Sequence, residues 1–175
     1  MVTLEEIWNK DEKVLGCSRS DILSKLPRRL SHSILKWAEI SPHAPALVGN
    51  ATTLTYAALQ QAVTESIEFL KSKGVRPGDR VMLVAENGIA LMCLFVALSE
   101  MDAIAVVINA RLSERELGLI QEDCDPRVVV SATDDSTDAQ AHGKRLGALA
   151  DQLSFAKVAT STEFEASPET VHADP

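Results

Sequence analysis

Short, mostly apolar runs alternate with helical patterns between Leu54 and Ala159, and no other feature restricts the fold of this chain as strongly. Four runs have the length of a strand, at 81–85, 103–107, 127–131 and 155–159. Apolar strands joined by crossover helices form a parallel sheet that is covered on both faces. Right-handed crossovers make such a sheet doubly wound. We therefore predict an α/β fold: a partial doubly wound, mostly parallel sheet with crossover helices, preceded by a helix and a small hairpin.

Apolar spacing and capping residues indicate the connecting helices. Thr55 is placed to cap a helix that ends at Gly74. Ser113 and Glu116 have the spacing of a capping box for a later helix. A further helix is predicted over 138–153. The apolar face of the Thr55 helix consists of Leu59, Ala62, Val63, Ile67 and Leu70.

Smaller elements are predicted before this alternation. Apolar residues have helical spacing over 30–40, and Ser41-Pro42 stops that helix. The segments 46–48 and 52–54 flank Gly49-Asn50-Ala51. We expect a hairpin there, because glycine and asparagine accept positive φ.

The domain organisation is expected to be simple. Residues 1–28 are interpreted as an extension with a short helix, in which Thr3 and Glu6 have the spacing of a capping box. Residues 29–160 are predicted to form the α/β unit. The polar and acidic segment 161–175 is interpreted as a linker.

Composition and charge exclude several classes of protein. The net charge is −8, and the basic residues adjoin one another only at Arg28-Arg29 and Lys144-Arg145, so nucleic acid and anionic membranes are poor partners. Glu5 and Glu6 stand where a signal peptide needs positive charge. The longest apolar run, Ile89 to Leu98, is too short to cross a bilayer and predicts a buried helix. We expect a cytoplasmic protein without a transmembrane segment.

The cysteines fit the same interpretation. Cys17, Cys93 and Cys124 are odd in number and widely spaced, and they form no C-x-x-C pattern. Neither a disulfide framework nor a zinc site is indicated. Cys93 and Cys124 are predicted to be small core residues.

Ligands of a parallel sheet bind beyond the carboxyl ends of its strands, so the crossover loops are the places to search. The first loop has one glycine and no dinucleotide fingerprint, and its Asn87 is predicted to cap the next helix. In the second loop, Asn109 is predicted to bond the local backbone. Arg111 is predicted to pair with Glu114 or Glu116, or to face another part of a larger enzyme.

The third loop contains a carboxylate cluster. Asp134, Asp135 and Asp138 could hold Mg²⁺ for phosphoryl transfer. The simpler interpretation is that Ser136 or Thr137 opens the next helix and that the acidic residues favour its N-terminus.

The histidines show no metal-ligand spacing, and no G-x-S-x-G elbow occurs. His142, in a polar helical stretch, is expected on a solvated face. We therefore assign no catalytic, cofactor-binding or metal-binding residue from the sequence. The four histidines are His32, His43, His142 and His172.

Three segments in order resemble the front end of one enzyme family. They are LTYAAL at 54–59, GVRPGDRVMLVAEN at 74–87 and AIAVVINARLSEREL at 103–117. In combination they are similar to the N-terminal part of adenylate-forming enzymes, the AMP-binding and acyl-CoA synthetase/ligase superfamily. The resemblance covers roughly residues 30–175.

The chain departs from the family pattern at three places. Ala58 stands where the family usually has glutamate, which would complete a capping box. Met101-Asp102 replaces a common Ala-Gly pair, and Val107 replaces a common proline. These departures indicate a divergent member.

The resemblance implies a chemistry. Family enzymes use Mg²⁺ and ATP to convert a carboxylic acid into an acyl-adenylate, and usually pass the acyl group to coenzyme A. Their glycine-rich phosphate loop, of the type T-S-G-T-T-G-x-P-K-G, does not occur in this sequence. The resemblance therefore implies an N-terminal fragment of a fatty or aryl acid CoA ligase that is inactive by itself. We also expect an exposed sheet edge that favours self-association.

Two other classes remain open at this point. The chain could be a self-standing, non-catalytic α/β module that binds a partner. It could also be a Mg²⁺-dependent phosphotransfer domain built on Asp134 and Asp135.

Overall fold

A computed structural model describes residues 4–27, 29–49, 52–134 and 136–162. The helices are α1 Leu4–Leu15, α2 Arg19–Lys25, α3 Leu30–Ile40, α4 Tyr56–Ser72, α5 Ile89–Glu100, α6 Glu114–Cys124 and α7 Thr137–Arg145. The strands are β1 Pro45–Val48, β2 Thr53–Thr55, β3 Arg80–Ala85, β4 Ile104–Asn109, β5 Val128–Ala132, β6 Leu149–Gln152 and β7 Lys157–Ser161.

The main sheet has five strands in the order β4-β3-β5-β7-β6. Strands β4, β3 and β5 are parallel neighbours, whereas β7 runs antiparallel to both β5 and β6. Four strands thus share one direction, and the predicted mostly parallel sheet is confirmed.

The predicted helix over 138–153 is wrong in its second half. Helix α7 ends at Arg145, and Gly147 follows with φ +64°. Residues Leu149–Gln152 form strand β6 instead and make a hairpin with β7. A glycine at positive φ stops a helix and turns the chain back, and here the helix ends about two turns earlier than predicted.

Helices cover both faces of the sheet. On one face, the side chains of α4 and α5 pack with Val81, Leu83, Val128 and Val130. On the other, Met82, Val84 and Val129 pack with Leu117 of α6 and Ala139 of α7. Alternate residues of a strand point to opposite faces, so β3 and β5 contribute to both cores. The doubly wound arrangement is confirmed.

Strand β4 differs from the fully buried strand that its composition suggests. It is one of the two edge strands of the sheet, and Ile104 and Val107 are 41% and 47% exposed. An edge strand has a neighbour on one side only, which leaves part of its surface open.

The predicted cap and end of α4 are confirmed, and a turn leads from the helix into β3. Thr55 Oγ1 accepts a hydrogen bond from the Ala58 N–H over 3.2 Å, and Gly74 follows the helix with φ +82°. Asp79 N–H donates to Arg76 O over 3.1 Å, and Gly78 has φ +84°, as a type II turn requires. The start of β3 is fixed by this turn.

The antiparallel hairpin β1–β2 is also confirmed. The positive φ that was expected at Gly49 is not observed. A Cβ there would lie 3.1 Å from Ile89 Cδ1. A side chain at position 49 would therefore crowd Ile89 of α5 and the Thr52 carbonyl oxygen.

The N-terminal extension contains one helix more than predicted. Helix α2 is opened by a capping box of Ser18 and Asp21. The S-x-x-D spacing of these two residues is typical of the start of a helix. Thr3, the predicted cap of the first helix, lies outside the described residues.

Candidate functional site

The ends of β3 and β4 are joined by an ion pair at the carboxyl edge of the sheet. Arg111 Nη2 donates to Glu86 Oε2 over 2.6 Å. The predicted pairing of Arg111 with Glu114 or Glu116 is therefore wrong. Glu114 pairs with Arg145 of α7 over 3.0 Å, and Glu116 completes the capping box of α6 with Ser113.

Glu86 also contacts the third loop. Ser136 Oγ donates to Glu86 Oε1 over 3.2 Å and accepts the Ala139 N–H over 3.1 Å, which caps α7. The hydrogen bond from Arg111 is the main reason why the pKa of Glu86 lies below its usual value. One carboxylate thus links the ends of β3, β4 and β5. Sequence reasoning missed Glu86, although adjacent parallel strands bring their carboxyl ends together.

The two asparagines of this edge have different outcomes. Asn109 Oδ1 accepts the Arg111 N–H over 2.9 Å, so the predicted local bond is confirmed. The predicted cap at Asn87 is wrong, because Gly88 is the N-cap residue of α5 and provides no side-chain bond. Both asparagines line a cleft of about 440 Å³ together with Glu86, Leu91, Val107 and Arg111.

His142 is not on a solvated face. It is buried, and its Nε2 lies 3.1 Å from both Ala110 O and Leu112 O. Carbonyl oxygens only accept hydrogen bonds, so Nε2 carries the proton. His142 holds α7 against the loop after β4. Because Lys144 and Arg145 follow His142, the sequence pattern indicated a solvated helix face and not this buried contact.

The carboxylate cluster of the third loop is partly accounted for. Asp134 Oδ2 accepts the Lys157 N–H over 2.6 Å, at the start of β7. Asp135 lies outside the described residues. Within the described ranges, no group of three or more His, Cys, Asp and Glu side chains is arranged so that it could hold a metal ion.

Cys93 is a small core residue, as predicted. Cys93 is fully buried in α5, and burial raises the pKa of its thiol to about 12. Cys124 is partly buried against the second face of the sheet. A thiol with a raised pKa is a poor nucleophile, which fits a packing role.

Comparison with known proteins identifies the family. The model of the AMP-binding enzyme family matches residues 34–175. This chain belongs to the AMP-binding, adenylate-forming family, and the resemblance seen in its segments is confirmed.

Several similar curated proteins are acid-CoA ligases by name. Long-chain-fatty-acid-CoA ligase FadD13 of Mycobacterium tuberculosis is 34% identical over 95 residues, which cover 53% of this chain and 19% of that protein. Feruloyl-CoA synthase of an Amycolatopsis species is 34% identical over 121 residues, covering 68% and 25%. The chain thus spans about a fifth to a quarter of the length of these relatives.

Solved structures show the same fold. The N-terminal domain of FACL13 from Mycobacterium tuberculosis matches with a TM-score of 0.56 and 30% identity, covering 59% of this chain and 27% of that one. Its inhibitor-bound form matches with a TM-score of 0.60 and 26% identity, covering 71% and 31%. None of the described helices combines the length and apolar character that crossing a membrane requires.

Proposed function

We propose that this chain forms the N-terminal part of the large domain of an ATP-dependent ligase that joins a fatty or aryl acid to coenzyme A through an acyl-adenylate. The family match over residues 34–175 carries this proposal, because it includes the whole sheet and both helical layers. The acid class is supported by relatives whose names specify long-chain fatty acids and a feruloyl group. Residues 1–28 are then an extension, and 161–175 lead toward the phosphate loop.

In this proposal the described residues build a scaffold. Glu86 connects three loop segments through Arg111 and Ser136, and His142 fastens α7 to the loop after β4. These bonds hold the carboxyl edge of the sheet in one arrangement. A rigid edge positions neighbouring segments of a larger site.

The described residues do not fit Mg²⁺-ATP by themselves. Arg111, the cation that follows β4, is already paired with Glu86. A triphosphate needs oriented N–H groups and cations that offset its desolvation. We assign ATP, Mg²⁺ and coenzyme A to the complete enzyme and none of its chemical steps to this chain.

ATP–pyrophosphate exchange on the purified 175-residue polypeptide tests whether this chain lacks the reacting groups. We expect no exchange above background with fatty or aryl acids, and no ATP binding by calorimetry. Acid-dependent exchange by the polypeptide alone would contradict the proposal, because the scaffold would then contain the reacting groups.

A further inference from the structure

His142 bonds the loop after β4 on both sides of Arg111. Its Nε2 lies 3.1 Å from Ala110 O and 3.1 Å from Leu112 O, and these carbonyl groups belong to the residues that flank Arg111. His142 is buried, and Ala110 is completely buried. Such a donor is costly to displace, because buried carbonyl groups would be left without a partner. The backbone of Arg111 is therefore fixed from α7.

The side chain of Arg111 leads back to the same helix. Its Nη2 donates to Glu86 Oε2 over 2.6 Å, and Glu86 Oε1 accepts the Ser136 hydroxyl over 3.2 Å. Ser136 is the N-cap of α7, and Asp138 in the first turn of α7 adds an electrostatic attraction to Arg111. The contacts therefore form a closed ring that begins at His142 and returns to α7 at Ser136.

The exposure of the ion pair makes it dependent on this fixed backbone. The Arg111 side chain is 71% exposed and the Glu86 side chain 28%. An exposed ion pair gains little free energy by itself, because ordering a long side chain costs conformational entropy. Its occupancy then depends on how well the backbone presents the guanidinium to the carboxylate. The bonds from His142 fix that presentation on both sides of Arg111.

We propose that His142 is a positioning residue for the carboxyl edge, and that it holds Arg111 on Glu86 through the two carbonyl groups that flank Arg111. The loops after β3, β4 and β5 then order with α7 as one cooperative unit. His142 is not among the residues that line the cleft of Glu86 and Arg111, yet it determines the charge and shape of that cleft. The coupling does not depend on the reaction proposed above, so the failure of one leaves the other standing.

Two amide replacements in the 175-residue chain test the role of the Nε2–H. His142→Gln places an amide N–H at nearly the reach of Nε2, whereas the shorter His142→Asn does not. Neither amide carries a charge, so a difference between the variants reports the position of the donor. We expect His142→Asn to raise the pKa of Glu86 by about half or more of the increase that Arg111→Ala produces, and His142→Gln to keep it near the natural value. NMR titration of the Glu86 carboxyl carbon measures both.

A double variant separates an effect through Arg111 from a direct one. If His142 acts through Arg111, Arg111→Ala combined with His142→Asn should shift the pKa of Glu86 no further than Arg111→Ala alone. Val63→Ala lies in the core on the opposite face of the sheet. It is the control for a general loss of stability and should leave the pKa of Glu86 unchanged.

The reverse direction gives a measurement that needs no substitution at His142. Coupling between two sites is reciprocal, so Arg111→Ala should speed the exchange of the His142 Nε2–H with solvent. This variant changes an exposed side chain and leaves the core intact. NMR of the isotope-labelled imidazole follows the exchange.

Five results would overturn the proposal. Three concern His142 itself: a cooperatively folded His142→Asn variant that keeps the low pKa of Glu86, a His142→Gln variant that shifts it equally, or effects that add in the double variant. The fourth is a shift of the same size in Val63→Ala. The fifth is an unchanged exchange of the His142 Nε2–H in Arg111→Ala.

Discussion

Arg111 Nη2 lies 2.6 Å from Glu86 Oε2, and this bond joins the loop after β4 to the end of β3. Arg111 is the first cause of the lowered pKa of Glu86. We expect Arg111→Ala to raise the pKa of Glu86 toward its ordinary value. NMR titration of the carboxyl carbon measures this shift.

The matched control for this titration is Glu116. Its pKa is also lowered, but by hydrogen bonds with Ser113, so it should not move in Arg111→Ala. The stability that Glu86 contributes is present above its unfolded pKa and is lost as the pH falls through the lowered, folded value. Arg111→Ala should reduce that acid-range dependence. A Glu86 pKa that stays low without Arg111 would contradict the assignment.

Gly143 and Gly118 differ in the space that is available for an added Cβ atom, so alanine substitutions there test the packing of α7. A Cβ at Gly143 would lie 3.3 Å from Ala159 Cβ and 3.4 Å from Ser131 Cβ, whereas a Cβ at Gly118 meets nothing within 4 Å. Gly143→Ala should lower the free energy of unfolding by about 1 kcal/mol, because strand-anchored atoms yield poorly. Gly118→Ala should raise it by about 0.5–1 kcal/mol. Denaturant midpoints measure both, and equal shifts of one sign would contradict the packing of α7 on β5 and β7.

His142 should be structurally important despite its polar neighbours. His142→Ala removes the Nε2–H that bonds the Ala110 and Leu112 carbonyls and leaves a cavity. We expect the free energy of unfolding to fall by about 2 kcal/mol. His32→Ala, on an exposed face of α3, should change it by less than about 0.5 kcal/mol. Urea unfolding compares the two, and similar small losses would mean that His142 does not hold the loop.

The capping box of α6 gives a local prediction. Ser113 Oγ accepts the Glu116 N–H, and the Glu116 carboxylate accepts the Ser113 N–H over 2.9 Å. Ser113→Ala should cost about 1 kcal/mol and raise the pKa of Glu116. Glu122→Ala, exposed in the same helix, is the control. If the denaturant midpoint of Ser113→Ala matches that of the control, Ser113 is not an effective cap.

The elements that were predicted well depend on local signals. Apolar runs identified β3 and α5, and cap residues such as Gly74 and Ser113 set element boundaries. Each of these signals acts within a few residues along the chain. The order of the strands depends on contacts between distant residues, so neither the exposed edge at β4 nor the antiparallel β7 followed from composition.

At two of the three departures from the family pattern, the structure shows specific local contacts. Asp102, where the family commonly has glycine, has φ +54°, and its carboxylate bonds Arg29 over 2.8 Å. Aspartate tolerates this conformation better than most residues. A glutamate at position 58 would accept the Thr55 N–H. The preceding loop instead satisfies two other N–H groups at the start of α4, because Tyr56 and Ala57 donate to Ala44 O and Pro42 O. Such contacts become visible only when the preceding loop is in place.

The candidate site also combines a location that the sequence predicts with a contact that it does not. The sequence placed Asn109 and Arg111 in a loop at the carboxyl edge, but the partner of Arg111 lies 25 residues earlier, in Glu86. Nearby Glu114 and Glu116 were better candidates on helical spacing alone. Both have other partners, Arg145 and Ser113.

Segment exchange tests the central claim most directly. In the feruloyl-CoA synthase, the segment that matches this chain over 121 residues is replaced by the corresponding residues of this chain, and ferulate-dependent ATP–pyrophosphate exchange is measured. Leu83→Asp, which places a charge in the buried core, is introduced into the same chimera as a control. The account predicts exchange by the chimera and its loss in the Leu83→Asp form. A chimera that folds cooperatively but shows no exchange above background would contradict it.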